Sequence, residues 1–295
     1  MKKYILNLLE SLSNIKWDLI FNLKLLFNKE FKVAIRENHK LKNIHKDKRC
    51  FIVGNGPSLK KMDLKKITNE ITFSVNNIVN DKDLYNSINS NYHFFIDPLY
   101  YSLDNENKED IETIKIIENV NYASKKPICF INYEGFQAFK KFKFKKDHLN
   151  LRYIYAHRVL KEPYLKKIDL SKNMPQSQNV IHTAIYTAIY MGFKEVFLIG
   201  CDMTSVFLNF EKNEFGKQEI RKNFHAYNYT ESEMKTMLRD SAKFDNEYML
   251  YDYAKTFTIF KRINDYAFNN NIKIYNVGLG GGLDVFERAN YNDLF

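Results

Sequence analysis

The chain has 295 residues, with 45 Lys or Arg against 35 Asp or Glu, so its formal net charge is +10. That length can bury one large core, or one core with a smaller appendage. The charge favours anionic partners such as nucleic acid, lipid surfaces or phosphorylated ligands, or a solvated basic surface without a dedicated partner. The three cysteines lack metal-ligand spacing, which argues against a metal cluster and predicts buried thiols in a reducing compartment.

The first 48 residues differ from the rest of the chain. In residues 1–31, apolar side chains recur at steps of three and four, the period of one helical face, and lysines supply a basic opposite side. We expect an amphipathic helix whose residues 1–30 contact the inner leaflet of a membrane or a partner protein, or pack on their own domain. The basic stretch that follows is typical of a linker. Since the chain shows no run of 18 apolar residues and no cleavable signal, we expect a cytoplasmic protein, peripheral at the inner membrane.

From Arg49 onward, short apolar runs typical of buried strands alternate with helical stretches. The runs cover residues 49–53, 71–75, 92–96, 126–131, 195–200 and 272–277. Helical patterns cover 179–194, which is largely apolar, and about 247–269. This alternation predicts an α/β fold, doubly wound and Rossmann-like, with a mostly parallel sheet.

Two regions interrupt the alternation of strands and helices. Residues 132–178 are aromatic and basic, and residues 203–246 are polar and aromatic. Insertions after strand ends commonly form lids, so we expect lid insertions near both. The predicted organisation is therefore an amphipathic extension over 1–48 and a nucleotide-binding catalytic domain over 49–295. The run KKFKFKK interleaves basic and aromatic residues, but no nucleic-acid-binding module accompanies it, and we expect no nucleic-acid partner.

The run FIVGNGPSL places a glycine-rich turn directly after the first predicted strand. Its glycines permit close backbone approach, Pro57 suits a turn or a first helical position, and Ser58 with the following amides could take a phosphate. The turn matches neither the dinucleotide fingerprint nor a P-loop, and a purely structural turn is the alternative.

Three further strand tips are polar. Asn76 and Asn77 follow the second strand, where they could contact a base or ribose or form a turn. Asp97 precedes a proline and could hold a hydroxyl or a metal ion, or cap the turn. Asp202 could orient a ligand or neighbouring backbone amides. Because carboxyl ends of parallel strands meet at one edge, these tips predict one cleft for a phosphorylated, hydroxyl-rich ligand such as a nucleotide. A second glycine cluster, residues 277–288, either completes that pocket or forms a C-terminal turn.

The segments FIVGNGPSLKKMD, FSVNN and NVIHTAIYTAIYMGFKEVFLIGCD resemble two known families. One is the bacterial sialyltransferases of glycosyltransferase family 42, which use CMP-activated sialic acid without a metal ion. The other is the hydroxymethylpterin diphosphokinase-like proteins, in which a G-x-G-P-S-L loop and an LIGxD strand recur. Both resemblances cover roughly residues 49–100 and 175–204.

The resemblance implies nucleotide contacts for Asn55, Gly56 and Ser58, and a donor contact for Asn76. Asp97 stands where the sialyltransferases have an asparagine, and their phosphate-binding tyrosines are not matched at Thr204 and beyond. The candidate nucleotide- and donor-binding residues are Gly54, Asn55, Gly56, Ser58, Asn76, Asn77, Gln178, Asn179, Asp202 and Thr204.

A sialyltransferase-type mechanism also needs a histidine base. We select His225, within the second insertion, with Tyr227 and Tyr229 as groups that could stabilise a departing phosphate, and we count Asp97 among the catalytic candidates. The alternative for His225 is a histidine that packs in a lid. His182 lies within the apolar helix and is expected to be buried.

These patterns predict a glycosyltransferase that uses a nucleotide-activated sugar, plausibly CMP-linked, without a cofactor or metal ion. Its expected partners are a nucleotide-sugar donor and a glycan or lipid-linked acceptor such as capsule or lipooligosaccharide, and a homo-oligomer is an open option. The alternatives are a diphosphokinase that needs ATP and Mg²⁺, with Asp97 and Asp202 near the metal ion, and a non-catalytic nucleotide- or glycan-binding accessory protein.

Overall fold

The computed structural model describes residues 2–100, 108–141, 149–159, 168–204, 225–226 and 245–295. Its strands are β1 (Arg49–Val53), β2 (Thr72–Val75), β3 (Tyr92–Phe95), β4 (Ile128–Asn132), β5 (Asn150–Ile154), β6 (Ala156–Arg158), β7 (Met174–Pro175), β8 (Glu195–Ile199), β9 (Lys273–Asn276) and β10 (Glu287–Arg288). Its α-helices are α1 (Lys2–Phe27), α2 (Lys29–Arg36), α3 (Lys82–Ile88), α4 (Lys108–Glu118), α5 (Phe136–Lys141), α6 (Val180–Tyr190) and α7 (Asn246–Asn269).

Within the described residues, eight strands form one parallel sheet in the order β10-β9-β8-β1-β2-β3-β4-β5, and β6 pairs with β7 separately. The chain runs outward from β1 to β5 on one side and from β8 to β10 on the other. The strand order therefore reverses between β1 and β8. In open parallel sheets this reversal leaves a crevice at the carboxyl ends of the strands, where ligands bind.

Apolar cores cover both faces of the sheet, as the continuous apolar strand runs require. On one face, α6 and α7 pack on Ile52, Phe73 and Phe94. On the other face, α3, α4 and short 3-10 turns pack on Phe51 and Phe95. Ten of the eleven residues of α6 are buried, which explains why its sequence is apolar all round. The doubly wound α/β fold predicted from the sequence is confirmed.

The N-terminal extension packs on the domain through one face of α1. Phe21 joins a buried cluster with Phe31, Ile35, Tyr133 and Tyr155. Nearby, the Asn14 side chain exchanges two hydrogen bonds with the Val159 backbone, at 2.7 and 3.1 Å.

Residues 37–48, which the sequence suggested to be a linker, are also packed. Asn38 is fully buried, and its Nδ2 donates to the carbonyls of Tyr153 (2.8 Å) and Leu170 (2.9 Å). Leu41 lies in the core, and His45 packs against Phe193. This segment therefore belongs to the domain and is not a free linker.

The structure describes most of the first predicted lid insertion and little of the second. Residues 132–178 contribute β5 to the edge of the main sheet and the β6–β7 pair. Residues 203–246 lie largely outside the described residues. The stretch after the glycine turn forms two short 3-10 turns, Pro57–Lys61 and Leu64–Ile67, which are separate because Met62 and Asp63 between them are extended.

Candidate functional site

A cavity of about 160 Å³ lies at the carboxyl ends of β1, β2 and β8, where the strand order reverses. Eight candidate residues from five separate segments of the chain line it: Gly54, Asn55, Gly56, Asn76, Asn179, Asp202, Thr204 and His225. Four other candidates with described positions, Ser58, Asn77, Asp97 and Gln178, are not part of its lining.

The glycine turn crosses directly over the end of β8. The Gly54 amide donates to the Ile199 carbonyl at 2.8 Å, and the Gly56 amide donates to the Gly200 carbonyl at 2.7 Å. A Cβ atom on Gly54 would overlap the Gly200 carbonyl, and one on Gly56 would overlap the Asp202 carboxylate. Glycine is therefore required at both positions by close approach of the two strand tips.

Asp202 is 5% exposed, and Ser58 binds both of its carboxylate oxygens. The Ser58 amide donates to Oδ2 at 2.8 Å, and the Ser58 hydroxyl donates to Oδ1 at 2.5 Å. Asp202 therefore orients neighbouring backbone, one of the two roles considered from the sequence. The phosphate contact expected of Ser58 stays a prediction; in this structure its amide and its hydroxyl both donate to the Asp202 carboxylate.

The second glycine cluster supports Asp202 from the other side. The Gly282 amide donates to the Asp202 carbonyl at 2.6 Å, and Gly281, at φ +91°, passes so close that a side chain there would overlap Asp202. The cluster thus holds the β8 tip in place.

Two asparagines give the cavity its unsatisfied polar groups. The Oδ1 atoms of Asn55 and Asn76 are buried and have no hydrogen-bond partner within the described part of the chain. Leaving such an acceptor unpaired costs about 1–3 kcal/mol, a cost that a ligand with hydroxyl or amino donors would remove.

A buried polar chain holds the backbone of Asn76 in the left-handed conformation, at φ +48°. His93 Nε2 lies 3.0 Å from the Asn76 carbonyl, and His93 Nδ1 lies 2.7 Å from the Ser74 hydroxyl. The Ser90 hydroxyl in turn donates to Ser74 Oγ at 2.6 Å. Since a carbonyl only accepts, Nε2 carries the proton and Nδ1 accepts from Ser74.

Burial lowers the pKa of His93 to about 3, so the ring is neutral at pH 7. Sequence reasoning missed this residue. The available signal was a histidine in the middle of an apolar strand, YHFFI, where an unpartnered polar side chain would be costly.

His225 reaches the cavity because the adjoining Ala226 is bound to the glycine turn. The Ala226 amide donates to the Asn55 carbonyl at 2.8 Å, and Ala226 itself is buried. Burial lowers the pKa of His225 to about 4, so its imidazole is neutral at pH 7 and can accept a proton. Tyr227 and Tyr229, predicted to act beside it, lie outside the described residues.

The N-terminal end of α6 borders the same cavity through Asn179, Val180 and Ile181. Asn179 is its N-cap, with Oδ1 accepting from the Ile181 amide at 2.9 Å, and His182 Nδ1 accepts from the Asn179 amide at 3.2 Å. Burial lowers the pKa of His182 to about 3, in line with the structural role expected for it. The positive end of the α6 dipole favours an anionic ligand here.

Three candidates have contacts away from the cavity. The Asn77 side chain accepts from the Tyr100 hydroxyl in the core. Asp97 Oδ1 accepts from the Leu99 amide at 3.0 Å and so caps the turn after β3, the structural alternative considered for it. The Gln178 side chain donates through Nε2 to Asp252 Oδ1 at 2.7 Å. None of these three residues is part of the cavity lining.

The carboxylates do not fit the magnesium site that the diphosphokinase hypothesis requires. Both oxygens of Asp202 bind Ser58, and Asp97 caps its own turn outside the cavity. Across the ranges that the structure describes, no group of three or more His, Cys, Asp or Glu is arranged to hold a metal ion.

Two solved structures of the sialyltransferase CstII from Campylobacter jejuni are similar to this chain. One, in complex with cytidine-5′-monophosphate, is 18% identical with a TM-score of 0.45, and the match covers 84% of this chain and 86% of that one. The other, in complex with CMP-3FNeuAc, is 17% identical with a TM-score of 0.49, covering 82% and 86%. A search of curated proteins finds no match.

A family model described as 6-hydroxymethylpterin diphosphokinase MptE-like matches residues 25–206. The matched segment contains the glycine turn, Asn76, α6 and the β8 tip, which are the elements that build the cavity. The match to this family model confirms the resemblance that the G-x-G-P-S-L loop and the LIGxD strand indicated. Because the match spans more than half of its residues, the chain belongs to the 6-hydroxymethylpterin diphosphokinase MptE-like family.

Proposed function

We propose that this chain is a glycosyltransferase-type enzyme that binds a nucleotide-activated sugar in the cavity between β1 and β8. The observation that carries this proposal is the pair of buried, unpaired carboxamide oxygens of Asn55 and Asn76 at a cavity bordered by the α6 N-terminus. A nucleotide-sugar supplies hydroxyl and amino donors for the asparagines and an anionic phosphate for the helix end. CMP is the first nucleotide to test, because the GNGPSL loop resembles that of CMP-sialic acid users.

The proposed reaction is a direct displacement on the donor sugar. The acceptor hydroxyl loses its proton to His225 and forms a bond to the anomeric carbon, while the bond from that carbon to the nucleotide phosphate breaks. The phosphate leaves with the electron pair. The acceptor is proposed to be a cell-surface glycan such as capsule or lipooligosaccharide.

His225 is suited to this role by its position in the cavity wall. Its depressed pKa keeps the ring neutral at pH 7, the form that can accept a proton. A pKa of about 4 makes the free histidine a weak base. A nucleotide phosphate bound in the same cavity would raise that pKa toward neutrality, since a nearby negative charge favours the imidazolium.

The experiment is thermal stabilisation of the purified chain by CMP, CDP, UDP, GDP, ADP and ATP, each with and without Mg²⁺. A ligand that binds the folded state raises the melting temperature by mass action. We expect a shift with a cytidine nucleotide in the absence of metal. The Asn55→Ala and Asn76→Ala variants should lose the shift, whereas Asn22→Ala, on the surface of α1, should keep it.

A second candidate function is favoured by the family match: transfer of diphosphate from ATP to a hydroxymethylpterin. It predicts a thermal shift confined to ATP or ADP with Mg²⁺. In that case Asp202→Asn and Asp97→Asn would abolish metal-dependent turnover. This pair is poorly suited to bind one metal ion, because the Asp202 carboxylate accepts hydrogen bonds from Ser58 and the Asp97 carboxylate caps its own turn.

His225→Ala separates an enzyme from a non-catalytic binding protein. Under the proposed function the variant keeps the nucleotide-induced shift and loses sugar transfer. A fully active variant would show that the base is another group. If no nucleotide stabilises the wild-type chain, the accessory-protein hypothesis takes precedence.

A further inference from the structure

The outer face of α1 is an exposed apolar stripe. Six side chains spaced three or four residues apart make up the stripe, with exposed fractions between 45% and 75%: Leu8, Leu12, Ile15, Leu19, Leu23 and Leu26. Phe27, at the end of the helix, is 84% exposed. Continuous apolar patches of this kind on a protein surface mark contact sites, unlike scattered single residues.

The opposite face of α1 is already bound to the domain. Asn14 pairs with the Val159 backbone, Asp18 forms an ion pair with Arg158 at 2.6 Å, and Phe21 is buried. The helix therefore cannot rotate its stripe inward without breaking these contacts. At 1.5 Å per residue the stripe from Leu8 to Leu26 extends about 27 Å along the helix.

The charged side chains of α1 differ in their distance from the stripe, and Lys24 lies on the docked side, with its amine over the Phe31 and Tyr155 rings. With 100° per residue, Lys16 lies about 60° from Leu19, whereas Asp18 lies about 100° and Glu10 about 180° away. Lys16 is exposed at the margin of the stripe, with its amine 5.5 Å from the Trp17 ring. Among residues 8–27 of α1, both carboxylates thus lie off the stripe, and Asp18 is paired on the docked side.

We infer that this stripe lies on an anionic lipid surface, with α1 parallel to the plane of the membrane. An apolar face bordered by lysine fits the boundary between acyl chains and anionic headgroups. A second copy of the same face offers no negative charge to Lys16, whereas the headgroup phosphates of anionic lipid do. Within the described residues, no helix is long and apolar enough to cross a bilayer, so the contact is with the surface.

The test is co-sedimentation of the full chain with phosphatidylcholine vesicles, with and without phosphatidylglycerol. We expect binding that requires the anionic lipid and weakens as salt is added. Leu12→Glu combined with Leu19→Glu should reduce binding about tenfold or more, because two leucines that contact lipid in the bound state are replaced by charges. Lys16→Glu should reduce the preference for phosphatidylglycerol.

The matched control is Leu250→Glu combined with Phe268→Glu, two residues of α7 that are 56% and 82% exposed. It should bind vesicles as the wild-type chain does. Melting temperatures of all variants report whether the fold is retained, independently of any nucleotide binding. Equal binding by the stripe variant and the control would overturn the inference. A second result would also overturn it: neither the wild-type chain nor the stripe variant binds vesicles, and the wild-type chain self-associates whereas the stripe variant does not.

Discussion

The buried polar chain behind Asn76 should make the stability of this protein depend on His93 and on pH. His93 is fully buried and neutral, and it accepts from Ser74 through Nδ1 while donating to the Asn76 carbonyl. In acid the imidazole must either remain unprotonated or gain a proton on Nδ1, which removes the acceptor for Ser74. The perturbation is therefore a shift from pH 7 to pH 5, compared between the wild-type chain and His93→Gln, which does not titrate.

The size of the effect follows from the pKa. Burial lowers the pKa of His93 from 6.5 to about 3, so the unfolded chain binds a proton below pH 6.5 that the folded chain does not. Stability from the neutral ring is thus present above pH 6.5 and is lost as pH falls toward 3. pH 5 lies 1.5 units below the pKa of 6.5 in the unfolded chain. Protonation of the unfolded chain therefore lowers the free energy of unfolding by about 2 kcal/mol at that pH.

The assay is reversible urea unfolding of both proteins at pH 7 and pH 5. His182, whose pKa is also lowered to about 3, contributes equally to both proteins and cancels in the comparison. At pH 7 the variant is expected to be less stable than the wild-type chain. At pH 5 that difference should shrink by about 2 kcal/mol, since only the wild-type chain loses stability at His93. A difference that stays constant between the two pH values would refute the neutral, buried His93.

The remaining predictions concern the cavity wall. Gly56→Ala keeps an ordinary φ of −64° but places a Cβ on the Asp202 carboxylate, so it should cost about 1–3 kcal/mol and abolish the nucleotide-induced shift. The control Gly280→Ala strains a backbone at φ +85° but has open space around its Cβ, so it should lose some stability and retain the shift. Asp202→Asn weakens two charge-assisted hydrogen bonds from Ser58 and should lower the unfolding free energy by about 1.5–3 kcal/mol, measured by urea unfolding. For His225, with a pKa of about 4 in the free enzyme, kcat/KM should be level from pH 7 down to about 5 and then fall as the ring is protonated; an acid limb near 6.5 would contradict its burial.

Local sequence patterns were sufficient to predict most of the strands and helices. Short apolar runs bounded by glycine or asparagine marked the strands at 49–53, 92–96 and 195–200, because a strand buried on both faces needs uninterrupted apolar side chains. The apolar stretch over 179–194 marked α6, which is buried on nearly every side. The glycine turn was recognisable for the same local reason, since close backbone approach excludes a Cβ atom.

The N-terminal extension shows where pattern was insufficient. The three-and-four spacing predicted α1 and its apolar face, and the same spacing was compatible with packing on the domain or with exposure. In the structure one face of α1 packs on the domain and the other is exposed: Phe21 is buried, whereas Leu19 and Leu23 face solvent. Helical periodicity identifies which residues share a face, but the shape of the neighbouring surface decides which face is covered.

By itself, the sequence determined the parallel sheet, its helical layers and the edge at which polar residues gather, because these follow from the period and length of apolar runs. Tertiary structure alone decided which tips meet. It brought Asn55, Asn76 and His225 to one cavity, bound Asp202 to Ser58, and left Asp97 to cap its own turn. Strand order and the direction of each side chain at a strand end depend on contacts between distant segments, such as Ala226 and Asn55, which are 171 residues apart. A one-dimensional pattern does not record such contacts.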